Sequence, residues 1–152
     1  SHIEDFRNPP MHIFGGQDSD TDKVEKLYKE YSVCKSCPIY KTDVVTASLV
    51  KYCINSFLAT KVTFMNEMYD VLNAAKGCNW NTFVKIISND ARLGKTHMKV
   101  PGNDGQRGYA GSCFPKDTNA LAWFAREILN NPFTQLETSI KINDKLRKNN
   151  QS

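Results

Sequence analysis

The chain lacks the features of membrane proteins, disulfide-stabilised proteins and strongly basic proteins. No apolar run approaches the length of about 20 residues that a membrane span needs. A net charge of +4 over 152 residues is too small to indicate a nucleic-acid partner by itself. Five cysteines are an odd number, so at least one thiol stays unpaired in a monomer. We therefore expect a cytoplasmic protein that binds neither a membrane nor nucleic acid.

Metal-ligand and dinucleotide-binding patterns are also missing. Cys34 and Cys37 form a lone C-x-x-C, no second pair follows at zinc spacing, and the three histidines are scattered. We predict no metal site, and a metal or redox role for these two cysteines stays an alternative. No G-x-G-x-x-G lies between a strand and a helix, so we expect no cofactor bound to this chain.

The first 42 residues predict a strand–helix–strand unit. A short apolar run over residues 11–16 ends in two glycines, and residues 38–42 form a second strand candidate. Between them, apolar residues at helical spacing run from Val24 to Tyr31. Such a unit is the repeating element of an α/β sheet.

A long helix is predicted over residues 43–76, where no glycine or proline occurs and which Gly77 ends. A helix of about 34 residues is about 50 Å long, which exceeds the diameter of a small domain. We therefore predict a homodimer through this helix. The alternative is that the helix packs only within its own chain. Its apolar stripe consists of Val50, Ile54, Phe57, Phe64, Met65, Met68, Leu72 and Ala75.

Shorter helices and one long loop are predicted for the remaining chain. Helices are expected over residues 79–89, over residues 114–130 and from Pro132 onward through Leu146. The glycine-rich stretch 94–111 is expected to be a loop, and loops of that length are usually functional or disordered. The predicted fold is mainly α, with one long helix preceded by the strand–helix–strand unit.

Cys113 is the strongest candidate for chemistry. Residues 108–117, G-Y-A-G-S-C-F-P-K-D, place it at the mouth of a glycine-rich loop, immediately before a helix. Free amide donors and the positive dipole end of a helix N-terminus favour a thiolate, which is the reactive form of cysteine. Glycines allow a ligand to approach the backbone closely. A lone cysteine is more often a small buried hydrophobe, and that alternative stays open.

Lys51 and Asn55 lie four residues apart on one face of the long helix. A lysine and an amide directed at one point can polarise a substrate oxygen. Taken alone, the same pair would be a solvated helix edge.

Three segments resemble motifs of the UDP-glucose/GDP-mannose dehydrogenase family. Residues 108–117 are similar to its active-cysteine motif, G-x-G-G-x-C-x-P-K-D, although Ala110 stands where the family has glycine. Residues 50–67 resemble its central-helix signature, K-x-x-x-N-x-F-L-A-x-K-x-x-x-x-N-E, and residues 90–94 resemble D-x-R-I-G. The motifs occur in the family's order.

The resemblance implies a domain assignment. Family members have an N-terminal NAD-binding domain, a central helical domain and a C-terminal nucleotide-sugar domain. By similarity, residues 1–42 correspond to the end of the NAD-binding α/β domain, and residues 43–152 to the central dimerisation domain. We therefore expect a fragment of a UDP-sugar 6-dehydrogenase that is inactive alone. The alternative is a stand-alone dimerisation module derived from that enzyme.

The resemblance also implies roles for single residues. In the family, NAD oxidises the C6 hydroxyl of a UDP-sugar in two steps through a cysteine thioester, and Cys113 matches that nucleophile. Lys51 and Asn55 would stabilise oxyanions, and Asp117 would position a water or Lys51.

The resemblance also implies three residues that contact the substrate. They are Arg92, which in the family reaches the neighbouring subunit's substrate, Tyr109 and Gly111. UDP-glucose is the favoured substrate, with UDP-N-acetylmannosamine and GDP-mannose as alternatives.

Overall fold

The computed structural model describes residues 2–149 and, for His2, the backbone alone. These residues form a mainly helical structure with one long helix, which confirms the predicted fold class. The elements in chain order are α1 (His2–Arg7), β1 (His12–Gly15), α2 (Asp18–Tyr31), β2 (Ile39–Thr42), α3 (Val44–Ala74), α4 (Trp80–Ile87), α5 (Phe114–Trp123), a π-helical turn (Phe124–Ile128) and α6 (Thr134–Asn149).

The chain folds as two compact units, one ending at Lys51 and the other beginning at Tyr52. The boundary between the units lies inside α3, about two helical turns after its start. The assignment of residues 1–42 and 43–152 to two domains stays a prediction.

The first unit contains the predicted strand–helix–strand. Strands β1 and β2 pair in parallel, with His12 opposite Ile39 and Gly15 opposite Thr42, and α2 forms the crossover. Tyr28 of α2 packs edge-on against the His12 ring at 4.8 Å between ring centroids. The sheet has two strands within the part of the chain that the structure describes.

Gly15 ends β1 where the strand meets the first turn of α3. A Cβ at this position would lie 2.6 Å from the Cβ of Ala47, which is closer than side-chain atoms approach one another. The absence of a side chain therefore lets β1 lie directly against α3.

Helix α3 begins at a side-chain cap. The Asp43 carboxylate accepts the backbone N–H of Thr46 at 2.9 Å and its hydroxyl at 2.6 Å, which satisfies one free donor of the first turn. These hydrogen bonds from Thr46 hold the pKa of Asp43 below its usual value. Lys76 and Gly77 follow the helix with φ of 48° and 76°, so the chain turns at the predicted glycine.

The apolar stripe of α3 is divided between the interior of the chain and its surface. Met65 and Leu72 are buried. Phe57 and Phe64 are 69% and 64% exposed. Most of the other buried positions of α3 carry small or polar residues: Ser56, Ala59, Thr63 and Asn66.

The second unit has its core where α4 and the following loop pack on α3. Met65 of α3 contacts Met98 and Val100, and α4 adds aromatic and aliphatic side chains: Trp80, Phe83, Val84 and Ile87. Helix α4 begins where Asn79 accepts the Thr82 N–H at 2.9 Å.

Residues 88–113 contain no helix or strand, which agrees with the loop predicted at 94–111. The loop is nevertheless part of the interior, because Met98, Val100 and Tyr109 are all buried. The loop therefore follows a defined path from α4 to α5.

Helices α5 and α6 complete the second unit. The helix predicted over 114–130 is regular to Trp123 and then widens into the π-helical turn, where the Leu129 N–H reaches the Phe124 carbonyl. The hydroxyls of Thr63 on α3 and Ser139 on α6 lie 2.9 Å apart in the interior. No helix among residues 2–149 is both long and apolar enough to cross a membrane.

Candidate functional site

Cys113 is the N-cap residue of α5, as the sequence predicted. Its backbone carbonyl accepts the Asp117 N–H at 2.8 Å, which closes the first helical turn. Pro115 lies in that first turn, where its missing N–H removes no helical hydrogen bond. The Cys113 side chain is exposed, and its sulfur lies 3.8 Å from the Ser112 hydroxyl oxygen. The thiol is therefore accessible beside the free amide donors of a helix start.

Asp117 and Asn55 form the centre of the site. Asp117 is fully buried, and its Oδ2 accepts a hydrogen bond from Asn55 Nδ2 at 2.6 Å. The structure thus brings together two residues that the sequence assigned to one site. A buried carboxylate needs partners for its charge, because burial without them is strongly unfavourable.

Lys116 is the second partner of Asp117, and sequence reasoning missed it. Its Nζ contacts Asp117 Oδ1 in a short ion pair, while its side chain remains 61% exposed. The hydrogen bond to Asp117 raises the pKa of Lys116, and the fields of Asp117, Tyr52 and Cys113 raise it further. Lys116 is therefore a stable cation near Cys113. Two sequence signals marked it: Lys116 is the lysine of the C-x-P-K-D segment, and it lies three residues after Cys113 on the same helical turn.

Lys51 lies one helical turn before Asn55 on α3 and is exposed. It is the last residue of the first unit, whereas Asn55 and Cys113 belong to the second. The role of Lys51 in stabilising a substrate oxyanion stays a prediction.

Two of the three predicted substrate-binding residues are exposed. Gly111 has a φ of 84°, a conformation that a side chain would strain, and no atom lies within 4 Å of a Cβ built there. Arg92 extends into solvent and pairs with Asp90, with Nη2 2.5 Å from Oδ2. This pair raises the pKa of Arg92 and lowers that of Asp90.

Tyr109, the third predicted contact, is buried. Its backbone N–H donates to Asn143 Oδ1 at 2.6 Å, and its ring meets that of Phe114 edge-on at 6.0 Å. Burial raises the pKa of its hydroxyl, while the hydrogen bond with Thr118 acts in the opposite direction. The Tyr109 side chain is therefore part of the interior of the second unit.

His97 is a further titratable group beside α5. Its φ of 63° is unusual for a residue with a side chain, and its ring lies 5.5 Å from that of Phe114. Burial lowers the pKa of His97, and the positive charge of Lys61 lowers it further. The imidazole is therefore neutral at physiological pH. Nothing in the sequence pattern marks His97 for this position.

A cavity of about 590 Å³ opens between α4 and the loop. His97, Lys95 and Lys99 line it together with Trp80 and Asn81.

Cys34 and Cys37, the two cysteines of the C-x-x-C, form no disulfide. Cys34 donates its S–H to the carbonyl oxygen of Phe6 at 3.1 Å, and all five cysteines are free thiols. Among residues 2–149 there is no group of three or more histidine, cysteine, aspartate or glutamate side chains that could hold a metal ion.

The chain is similar in sequence to proteins of one known family. The model of the UDP-glucose/GDP-mannose dehydrogenase family, central domain, matches residues 45–145. The chain is 35% identical over 133 residues to the UDP-glucose 6-dehydrogenase YwqF of Bacillus subtilis (strain 168), covering 87% of this chain and 28% of that protein. It is also 35% identical over 144 residues to the UDP-glucose 6-dehydrogenase of Rhizobium meliloti (strain 1021), covering 93% of this chain and 31% of that protein.

A solved structure shows the same fold. The UDP-glucose dehydrogenase from the hyperthermophilic archaeon Pyrobaculum islandicum superimposes with a TM-score of 0.79 at 29% identity, covering 95% of this chain and 31% of that one. The chain thus spans about a third or less of the length of these proteins. Because the family's central-domain model matches more than half of its residues, the chain belongs to the UDP-glucose/GDP-mannose dehydrogenase family.

Proposed function

We propose that this chain is the cysteine-bearing part of a UDP-glucose 6-dehydrogenase, in which Cys113 is the covalent nucleophile. The observation that carries the proposal is the group of Asn55, Lys116 and Asp117 at the first turn of α5, beside the exposed thiol. A nucleophile near a cation and an amide donor is the arrangement that thioester chemistry requires.

The chemistry proposed for Cys113 is addition to an aldehyde at C6 of the sugar. A bond forms between Sγ and the carbonyl carbon, and the carbonyl electron pair moves to oxygen as an oxyanion. Asn55 and Lys51, with Lys116, are the candidate groups to stabilise that charge. Conversion of this adduct into a thioester requires loss of a hydride from C6, which NAD held by another part of the enzyme would accept. Water would then add to the thioester carbonyl carbon, the carbon–sulfur bond would break, and the thiolate would leave with the sugar as its carboxylic acid.

Asp117 is proposed to orient the groups around it. Its two oxygens already hold Asn55 and Lys116, so the carboxylate fixes the amide and the cation relative to Cys113. The positioning of a water by Asp117, which the resemblance implies, stays a prediction.

The family is NAD-dependent, and residues 2–51 do not fit that cofactor. Pyrophosphate binds where a glycine-rich turn leads to a helix start that is free of negative charge. Helix α2 instead carries Asp18 and Asp20 in its first turn. We therefore assign no step of NAD chemistry to this chain, and we propose that it does not oxidise UDP-glucose by itself.

We further propose a two-fold homodimer through α3. Four large apolar side chains on the outer side of this helix are between 41% and 69% exposed: Ile54, Phe57, Phe64 and Val71. Phe57, Phe64 and Val71 recur at intervals of seven, which places them along one face. A second copy of α3 would cover this face, and two-fold dimers are the commonest homo-oligomers. The same face supports the alternative function, a stand-alone dimerisation module. We propose a cytoplasmic location for either function, because an odd number of cysteines suits a reducing compartment.

The deciding experiment measures alkylation of the purified chain by iodoacetamide as a function of pH, with each cysteine quantified by mass spectrometry. Cys78 is an exposed thiol outside α3 and serves as the internal reference, because the proposed dimer would cover Cys53. We expect Cys113 to react faster near neutral pH than Cys78, and UDP-glucose to slow only the reaction of Cys113. If the pH–rate profile of Cys113 matches that of a model thiol, the surrounding residues do not activate this cysteine in the isolated chain. A stand-alone dimerisation module then becomes the better interpretation.

A further inference from the structure

Two buried side-chain amides hold the loop that leads to Cys113. Asn66 on α3 and Asn143 on α6 are 1% and 5% exposed. The Oδ1 atom of Asn66 accepts the Gly108 N–H at 3.3 Å, and that of Asn143 accepts the Tyr109 N–H at 2.6 Å. Consecutive backbone amides of the loop are thus bound by two different helices. We call Asn66 and Asn143 the amide clamp.

The clamp is tight on the Asn143 side. Gly108 has a φ of 79°, and a Cβ at this position would lie 2.6 Å from Asn143 Oδ1. Any other residue at position 108 would therefore displace the amide as well as strain the backbone. On the other side, Arg107 donates from Nε to Asn66 Oδ1 at 3.2 Å and from Nη2 to the Asn66 carbonyl at 2.8 Å.

The clamp is connected to the first turn of α5. The Tyr109 ring, whose backbone Asn143 holds, packs edge-on against Phe114, the residue after Cys113. Its hydroxyl also lies near Thr118, which is fully buried on α5 and donates to the Phe114 carbonyl at 2.7 Å. A displacement of Tyr109 would therefore move the turn on which Cys113 and Asp117 lie.

We propose that Asn66 and Asn143 are positioning residues for Cys113: by fixing Gly108 and Tyr109, they set the place of the thiol relative to Lys116 and Asp117. The inference rests on the proposed function in one respect, namely that the environment of Cys113 matters for its reactivity. Neither amide touches a substrate in this proposal.

The test compares Asn66→Ala and Asn143→Ala with surface variants on the same helices, Asn73→Ala on α3 and Lys141→Ala on α6. The measurement is the pH–rate profile of Cys113 alkylation, with Cys78 as the reference and far-UV circular dichroism as the check of folding. We expect both clamp variants to remove most of the rate difference between Cys113 and Cys78, and the surface variants to leave it unchanged.

A conservative variant separates positioning from packing. Asn66→Asp keeps the oxygen that accepts from Gly108 and Arg107 but loses the Nδ2 donor to the Val62 carbonyl, so it should retain more of the Cys113 rate difference than Asn66→Ala does. Unchanged profiles in both alanine variants, with folding intact, would overturn the proposal.

Amide hydrogen exchange decides the remaining cases. If wild-type Cys113 reacts as a model thiol, the proposal that Cys113 is an activated nucleophile is wrong. The amide clamp is then tested by the rates of backbone amide hydrogen exchange in Asn143→Ala. Faster exchange at both Tyr109 and Thr118 supports the clamp, and unchanged exchange at Thr118 overturns it. If the alanine variants do not fold, amide hydrogen exchange is measured in the wild type. Slow exchange of the Gly108 and Tyr109 amides supports the clamp, and rapid exchange would show that the two asparagines do not hold them.

Discussion

Asn55 and Asp117, 62 positions apart in the chain, meet in a 2.6 Å hydrogen bond between a side-chain amide and a fully buried carboxylate. The bond joins the middle of α3 to the first turn of α5. It makes Asn55 a structural partner of the segment that carries Cys113, so changes at Asn55 should affect stability as well as reactivity.

The first prediction concerns that bond. Asn55→Ala removes a donor from the buried Asp117 carboxylate, and we expect the free energy of unfolding to fall by about 1–3 kcal/mol. Asn55→Asp should be more destabilising, because it places a second negative charge against the first. Urea denaturation measures both, with Asn73→Ala as the surface control on the same helix. An Asn55→Ala variant as stable as the control would contradict the prediction.

The second prediction concerns the cation beside the thiol. Lys116→Ala should slow alkylation of Cys113 several-fold near neutral pH, because a neighbouring positive charge favours the thiolate. Lys116→Arg keeps the charge and should retain most of the rate. If the proposed role of Lys51 is correct, Lys51→Ala should slow Cys113 as well. The measurement is iodoacetamide alkylation with mass-spectrometric quantification. Equal Cys113 rates in Lys116→Ala and the wild type would show that the Lys116 charge does not activate the thiol.

The third prediction concerns assembly. Phe57→Asp should convert the proposed dimer into a monomer at micromolar concentration, because the charge would be buried in an apolar interface. Phe133→Asp, which changes an exposed aromatic residue outside α3, is the matched control and should remain dimeric. Static light scattering gives the mass of each. A wild-type chain that is monomeric with α3 folded would refute the dimer.

The fourth prediction is a pH dependence in the first unit. Hydrogen bonds from Lys29 and then Lys41 lower the pKa of Glu25 from 4.5 to about 2. A carboxylate whose pKa is lower in the folded state contributes stability that is full above pH 4.5 and is lost as pH falls toward 2. Glu25→Gln should therefore reduce the slope of stability against pH in this window. Circular dichroism during acid titration measures it, with Glu30→Gln on the same helix as the control. Identical titrations of Glu25→Gln and the wild type would contradict this expectation.

The fifth prediction compares two glycines of the loop. Gly111→Ala should destabilise the chain by about 1–2 kcal/mol, because alanine is strained at a positive φ although space is available. Gly108→Ala should be more damaging, since its Cβ would also collide with Asn143. Denaturant unfolding of the two variants gives the comparison. Equal losses would mean that the loop shifts freely around position 108.

The sequence predicted those elements that depend on local patterns. The uninterrupted apolar periodicity after Asp43 predicted α3 to within two residues at its C-terminal end, and Pro115 after Cys113 predicted the start of α5. Helix α1 was not predicted, because six residues are too few to show a helical period. The π-helical turn after Trp123 was missed for a different reason, since its residues fit a regular helix equally well.

The contacts within the site were less accessible to sequence reasoning. The resemblance assigned Asn55 and Asp117 to one site, but it did not show that they bond each other. The clamp residues Asn66 and Asn143 are unremarkable polar positions on amphipathic helices, and only the fold places them on opposite sides of Gly108. Pairing between distant segments leaves no periodic signal in a single chain.

The loop between α4 and α5 supplies Met98 and Val100 to the interior of the second unit. These two residues cannot leave the interior without exposing apolar surface that unfolding of the unit also exposes. A protease should therefore cut slowly next to Met98 and Val100, while the exposed stretch 103–106 stays open to cleavage in the folded chain. Substitutions that shorten Met98 or Val100 should consequently lower the amount of folded protein in the cell.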